Sequence, residues 1–311
     1  MTISFDGQVA IVTGAGRGMG RAYALDFARR GAKVVVNDIE ESVAQSVVDE
    51  IEGLGGAAVA CTESAASYEG TQAIVATALD TFGELHVVVN NASVFRMGYF
   101  DVLERQAVVD MYEIHMGYLW LVQHAWPVFQ RNNYGRVVLT SSSAIWGHAG
   151  AAHYAAAKAS VVGLARALYH EAEPIGVKVN VILPSARTQE YRLGRGLVAP
   201  GMAERFAELD RRSHGRIQPE WNAHLVTYLA SRECKFNGES FHSKSGAYSR
   251  VFIGVTDGWV ATDDDNVSAE TIAEHIDEIT EIHGYAVPQS SLEETNRVLA
   301  MLDEALGPHA A

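Results

Sequence analysis

Apolar residues in the first two-thirds of the chain fall into two alternating patterns. Short runs rich in β-branched residues have strand length, and between them lie longer stretches with apolar positions at helical spacing. Val9–Thr13, Lys33–Asn37, Ala57–Cys61, His86–Asn90, Arg136–Thr140 and Val177–Ile182 read as strands. Helices are predicted over Gly18–Arg30, Glu41–Gly53, Ser67–Phe82, Arg105–Arg131 (broken near Gly117) and Ala152–Glu173. Gly31, Gly53, Gly83 and Gly176 follow these helical patterns, where a residue without Cβ stops a helix readily. Alternation of this kind implies an α/β fold, with a parallel sheet covered by helices on both faces.

The rhythm breaks in a polar stretch, Ser185–Arg216, too long for an ordinary connection and readable as a substrate lid. A helix over Glu220–Ser231 and a strand near Ser240–Ser243 resume it. Arg250–Val255 is a further strand candidate, and helices over Ala269–His283 and Ser291–Ala305 close the chain. Ser291 and Glu294 have the spacing of a capping box. The division expected is a single catalytic domain over residues 1–258 and a C-terminal helical extension, 259–311, packed on it.

With 311 residues and 48% apolar content, the chain can bury one large core. A net charge of −14 argues against nucleic acid or an anionic membrane as partner. Cys61 and Cys234, the only cysteines, cannot form a disulfide framework. There is no signal segment, no membrane-length apolar run and no peroxisomal tripeptide at Gly307–Ala311. These observations predict a soluble cytoplasmic protein. Twelve scattered histidines show no metal-ligand spacing, and Asp263-Asp264-Asp265 reads as a solvated turn, so no metal is expected.

Chemistry enters at Thr13-Gly14-Ala15-Gly16-Arg17-Gly18-Met19-Gly20, between the first strand and the first helix. Gly14 allows a tight turn, Gly18 lets backbone approach a pyrophosphate, and Gly20 allows close helix–strand packing. Helix N-terminal amides would then face the anion. Asp38, at the end of the second strand, can accept both ribose hydroxyls of an adenosine and would repel a 2′-phosphate. Arg17 is the counter-signal, since a loop cation could meet that phosphate. Asp38 outweighs it, and NAD is expected over NADP.

Tyr154 and Lys158 are four apart in an alanine-rich helix, so one face carries both. A free phenol has a pKa of ~10, and a neighbouring ammonium lowers it. Ser141, thirteen residues upstream, is the hydroxyl best spaced to hold a substrate oxygen; Ser142 and Ser143 are shorter-spaced substitutes. Tyr-x-x-x-Lys alone is common in helices, and its weight here comes from the glycine loop, Asp38 and the serine together.

That set, with Asn90-Asn91-Ala92, Asn180 and Pro184, resembles the short-chain dehydrogenases/reductases over about residues 5–255. Gly20–Ala28, Val34–Asp38, Tyr134–Ser141 and Leu225–Gly258 are similar to the (3R)-hydroxyacyl-CoA dehydrogenase part of multifunctional β-oxidation enzymes. The resemblance implies a Rossmann-like, doubly wound three-layer fold and an NAD-dependent oxidoreductase that interconverts a secondary alcohol and a ketone. Tyr154 would be the general acid/base, Lys158 would tune it and bind the nicotinamide ribose, and Ser141 would orient the substrate oxygen. The cofactor would meet Gly14, Arg17, Gly18, Met19, Gly20, Asp38, Asn90, Ala92 and Pro184. A homodimer or homotetramer is implied as well.

Three positions depart from the family pattern. Ser93 and Ser185 replace glycines, and His115 stands where an asparagine usually holds a relay water by its main-chain carbonyl. His115 is therefore a benign replacement, an added titrating group or a weakened relay. The substrate is a small alcohol or ketone. Seven arginines in the lid (Arg187, Arg192, Arg195, Arg205, Arg211, Arg212, Arg216) could meet the phosphates of a CoA thioester, or simply be solvated. Phe95, Tyr99 and Trp146 are candidates for an apolar pocket. The alternatives are the same chemistry on a steroid, terpene or cyclic alcohol, and a non-catalytic NAD-binding regulator.

Overall fold

In the computed structural model, the described residues are 2–96, 98–186, 204, 207–208, 211–262 and 268–306. The chain divides into two compact units, Met1–Arg250 and Val251–Ala311. In the first, strands β1 (Val9–Thr13), β2 (Lys33–Asn37), β3 (Ala57–Cys61), β4 (Val87–Asn90), β5 (Gly135–Thr140), β6 (Val177–Ser185), β7 (Ser240–Lys244) and β8 (Ala247–Val251) form one sheet. Its order is β3-β2-β1-β4-β5-β6-β7-β8, and pairing is parallel from β3 through β7. Helices α1 (Gly18–Arg29), α2 (Glu41–Gly53), α3 (Tyr68–Phe82), α4 (Arg105–Asn132), α5 (Ala152–Ala172) and α6 (Glu220–Ala230) flank it. This is the expected Rossmann-like α/β fold.

β1, β2 and β4 are almost wholly buried Val, Ile and Ala, as a sheet covered on both faces demands. The strand order reverses between β1 and β4. A crevice opens there beyond the C-terminal strand ends, where ligands bind in such sheets.

Four expectations need correction. α4 does not break near Gly117; it runs unbroken from Arg105 to Asn132. Gly117 is instead a packing glycine, because a Cβ there would lie 1.8 Å from the Ala65 carbonyl oxygen. The Arg250–Val255 run is not one strand. A two-residue turn, Ser245-Gly246, with φ of 52° and 80°, folds β8 back on β7 as a hairpin ending at Val251. In the second unit, β9 (Val255–Thr256) pairs antiparallel with β10 (Tyr285–Ala286). The helix expected over Ala269–His283 is two short ones, α7 (Ala269–Glu274) and α8 (Ile276–Thr280), divided at His275, whose ring stacks on Trp259 at 4.0 Å. The last helix, α9 (Ser291–Leu306), is capped one residue earlier than expected. Ser290 Oγ accepts from Glu293 N, and the Glu293 carboxylate accepts from Gln289 N.

Candidate active site

The glycine loop has almost no slack. A Cβ on Gly14 would lie 2.9 Å from Ala92 Cα, and one on Gly20 would lie 2.1 Å from the Gly14 carbonyl oxygen. Gly14 and Gly18 have φ of 61° and 56°, which Cβ-bearing residues rarely adopt. Asn91 braces the loop from β4, its amide donating to the carbonyls of Thr13 (3.0 Å) and Gly14 (3.3 Å). The Thr13 hydroxyl accepts from Asn91 N and Ala92 N. The N-terminus of α1 has no side-chain cap, so its first amides are open toward the cleft lined by Gly18 and Met19. This is a cradle for a phosphate.

Asp38 closes the other end. Its carboxylate accepts from Gly16 N at 3.1 Å and Glu40 N at 3.2 Å. Arg17, the counter-signal, forms an ion pair with Glu40. The ribose end therefore carries two carboxylates against one neutralised guanidinium. These carboxylates are acceptors of the kind a ribose hydroxyl donates to.

Between these walls lies a cleft of about 1090 Å³. Gly14, Arg17, Asp38, Ala92, Tyr154 and Pro184 line it, with Phe95 edge-on to the Tyr154 ring at 5.2 Å. Tyr99 and Trp146, the other aromatic candidates, are exposed and do not line it; Trp146 packs against His242. Of the lid arginines, Arg187, Arg192, Arg195 and Arg205 lie outside the described residues, as does Asp263-Asp264-Asp265.

Ser141 is not the serine in the cleft. It continues β5, with its N–H on Ile182 O, and its hydroxyl turns into the core to donate to Lys158 O at 2.7 Å. The next residue along an extended backbone points the opposite way. Ser142 accordingly lines the cleft, caps the 3₁₀ turn Ser143–Trp146 by accepting from Ala144 N, and hydrogen-bonds the Tyr154 phenol. Ser143 also lines the cleft. Counting thirteen residues back from Tyr154 therefore reaches a hydroxyl that strand alternation turns away from the cleft.

Lys158 stands behind Tyr154. It is 1% exposed, its ammonium donates to Thr140 O at 2.8 Å, and it sits 5.8 Å from the Tyr154 ring centre. Burial lowers its pKa to about 7. Tyr154 does not follow the expected direction. Burial raises its pKa, and the hydrogen bond from Ser142 pulls the other way. Asn90 is also withdrawn from the cleft. It is 1% exposed and its amide donates to Tyr118 O, so it braces α4 against β4.

His115 is buried, with its Nδ1 2.6 Å from Met111 O, which places the proton on that nitrogen. Burial, reinforced by the charge of Lys158, lowers its pKa to about 3. The neutral imidazole is therefore the favoured form near neutral pH, which speaks for the benign replacement over the added titrating group. Tyr118 was not legible in the sequence. Its ring stacks on His115 and lies 5.4 Å from the Lys158 ammonium. Its hydroxyl donates to Ala92 O at 3.1 Å and approaches Thr140 O at 3.4 Å, so one phenol ties the cofactor loop to the Lys158 support.

A general acid/base, a hydroxyl beside it and a nucleotide cradle in one cleft are the parts of a nicotinamide-dependent dehydrogenase. The family model for short chain dehydrogenases matches residues 8–190. A short-chain type dehydrogenase/reductase of Mycobacterium tuberculosis is 35% identical over 89% of this chain and 95% of its own length. Peroxisomal multifunctional enzyme type 2 of Mus musculus is 34% identical over 96% of this chain, which spans 40% of that enzyme. The solved full-length counterpart from Drosophila melanogaster has a TM-score of 0.80 and 29% identity, covering 98% of this chain and 51% of its own. A 7α-hydroxysteroid dehydrogenase solved with NADH and 7-oxo glycochenodeoxycholic acid has a TM-score of 0.69 and 29% identity over 78% of this chain and 95% of its own. The chain belongs to the short-chain dehydrogenase family and is an oxidoreductase that acts on CH–OH groups.

Proposed function

We propose that this oxidoreductase uses NAD and that its substrate is a 3-hydroxyacyl thioester, oxidised reversibly to the 3-oxoacyl form. The observation that carries the chemistry is the Ser142–Tyr154 hydrogen bond at the cleft, with Lys158 buried behind it. In oxidation Tyr154 takes the proton of the substrate hydroxyl, and in reduction it returns it. Ser142 donates to the same oxygen and holds it against the phenol. Lys158 stabilises the phenolate from behind, where burial makes its charge count more than in water. When bound, the nicotinamide supplies the two-electron acceptor or donor. Its pyrophosphate would rest on the Gly18 and Met19 amides and its adenosine ribose on Asp38.

The Asp38 carboxylate and the Arg17–Glu40 pair support NAD over NADP. Similarity to the multifunctional enzymes over nearly the whole chain supports the thioester. Exposed Tyr112, Met116 and Leu119, on one face of α4, support a homodimer or homotetramer. Free, buried Cys61 and Cys234 support a reducing compartment such as the cytoplasm. Among the described residues no helix is long and apolar enough to cross a membrane.

The test is initial-rate formation of NADH and NADPH over a panel of 3-hydroxyacyl-CoA, steroid, terpene and cyclic alcohols. The expected result is NADH formation fastest with 3-hydroxyacyl-CoA. Turnover only of free alcohols overturns the substrate, and NADP preference overturns the cofactor. NAD binding without any turnover overturns the enzyme.

A further inference from the structure

A second depression of about 630 Å³ adjoins the catalytic cleft and shares a wall with it at Lys244. Lys244 ends β7 in register with Ser185, whose strand also carries the cleft residue Pro184. Beyond Lys244 the depression is lined by Arg212, His214, Arg216, Ser213, Ser245 and Glu208. Three cations against one carboxylate make a local excess of positive charge on a chain of net charge −14. Glu208 is engaged, with ion pairs to Arg211 and Arg212. The guanidinium of Arg216 lies over the Trp221 ring at 5.3 Å, which fixes its plane and leaves its N–H edge for an acceptor. Trp221 is in turn held by Tyr248, whose hydroxyl donates to its carbonyl at 2.7 Å. The Ser245 hydroxyl is shut off from solvent and has no hydrogen-bond partner among the described residues. Ser245 also keeps φ at 52°, where glycine would be less strained.

We infer that this depression is a phosphate subsite, in which Arg216, Lys244 and Ser245 hold the phosphate of a phosphopantetheine thioester whose acyl end occupies the catalytic cleft. A planar guanidinium, an ammonium and a hydroxyl donor are the groups that recognise a phosphate, and none serves the redox chemistry. The inference rests on the thioester reading above. Its ligand chemistry has two sources, CoA and an acyl carrier protein, and both carry the same phosphopantetheine.

The experiment measures kcat/KM for one 3-hydroxyacyl chain carried as CoA, as acyl carrier protein and as pantetheine lacking phosphate. It does so in wild type, Arg216→Gln and Lys244→Gln. In wild type a phosphorylated carrier should be preferred over pantetheine by about 10- to 100-fold, with most of the gap in KM. Each variant should shrink that ratio by about tenfold. Because the ratio is taken within one preparation, a general folding defect cancels. Preference for the CoA form assigns the phosphate to CoA, and preference for the protein form assigns it to a carrier. The subsite is overturned if wild type uses the pantetheine and CoA thioesters equally, or if neither variant moves the ratio. If no thioester turns over while a free alcohol does, the thioester reading itself fails, which is a distinct result.

Discussion

Two of the loops that line the cleft, one after β1 and one after β5, are specified by different physics. The loop after β1 is fixed by exclusion. Gly14, Gly16 and Gly20 each stand where a Cβ would strike backbone or Asp38, so only one sequence pattern fits. The loop after β5 offers Ser141, Ser142 and Ser143 in a row, with no difference of residue type to choose among them. Selection falls to alternation along the strand. Ser141 remains paired to β6 and faces Lys158, and Ser142 is turned into the cleft. Steric exclusion leaves a mark that can be read from residue types. A choice among identical residues leaves none, and only backbone geometry resolves it.

The largest effect expected anywhere in the cleft is at Tyr154. Tyr154→Phe keeps the ring against Phe95 and removes the acid/base, so kcat should fall by roughly a thousandfold with NAD affinity retained. Loss of NAD binding in step with kcat, by calorimetry, would break the separation of the two loops.

Gly20→Ala should come next. Its Cβ would meet the Gly14 carbonyl at 2.1 Å, and backbone must move to admit it. We expect about 1–3 kcal/mol of lost stability and at least tenfold weaker NAD binding, as order-of-magnitude figures for an overpacked site. Unchanged NAD affinity would show that the loop has slack.

His115→Asn should be the mildest. The histidine ionises at about pH 3 in the folded protein against 6.5 in its unfolded reference. The unfolded chain therefore binds the extra proton over that interval. Stability tied to His115 is intact above pH 6.5 and is lost as pH falls toward 3. Urea unfolding at pH 8 should differ little between variant and wild type, and between pH 6.5 and 4 the variant should lose less stability. The pH dependence of kcat/KM should keep its limbs between pH 5 and 9. A limb that vanishes with His115 would restore it as a titrating group.

Most of the fold was legible because strand and helix periods are clean from Val9 to Ile182, the stretch that holds β1 to β5 and most of β6. What was not legible depends on distant contacts. Gly117 reads as a break until Ala65 is seen beside it, and the turn at Ser245-Gly246 shifts a strand that hydropathy alone puts at Arg250–Val255. Gly14, Asp38 and Tyr154, singled out by type and order, lie together in the cleft. Tyr118 was missed because a tyrosine within an apolar helix face looks like core. Its role appears only once His115, Lys158 and Ala92 surround it. The direction of the Tyr154 shift was missed for a related reason, since spacing reveals a neighbouring charge but not the burial that opposes it.

The most direct measurement compares Ser142→Ala with Ser141→Ala at saturating NAD. Ser142→Ala should lower kcat/KM by about 100-fold, as for loss of one donor to a reacting oxygen, and cost about 1 kcal/mol of stability from the lost cap on the 3₁₀ turn. Ser141→Ala should cost about 1 kcal/mol of stability, from its lost hydrogen bond to Lys158 O, and keep kcat/KM within about threefold. The opposite pattern, with Ser141→Ala inactive and Ser142→Ala active, would contradict the assignment of the cleft hydroxyl.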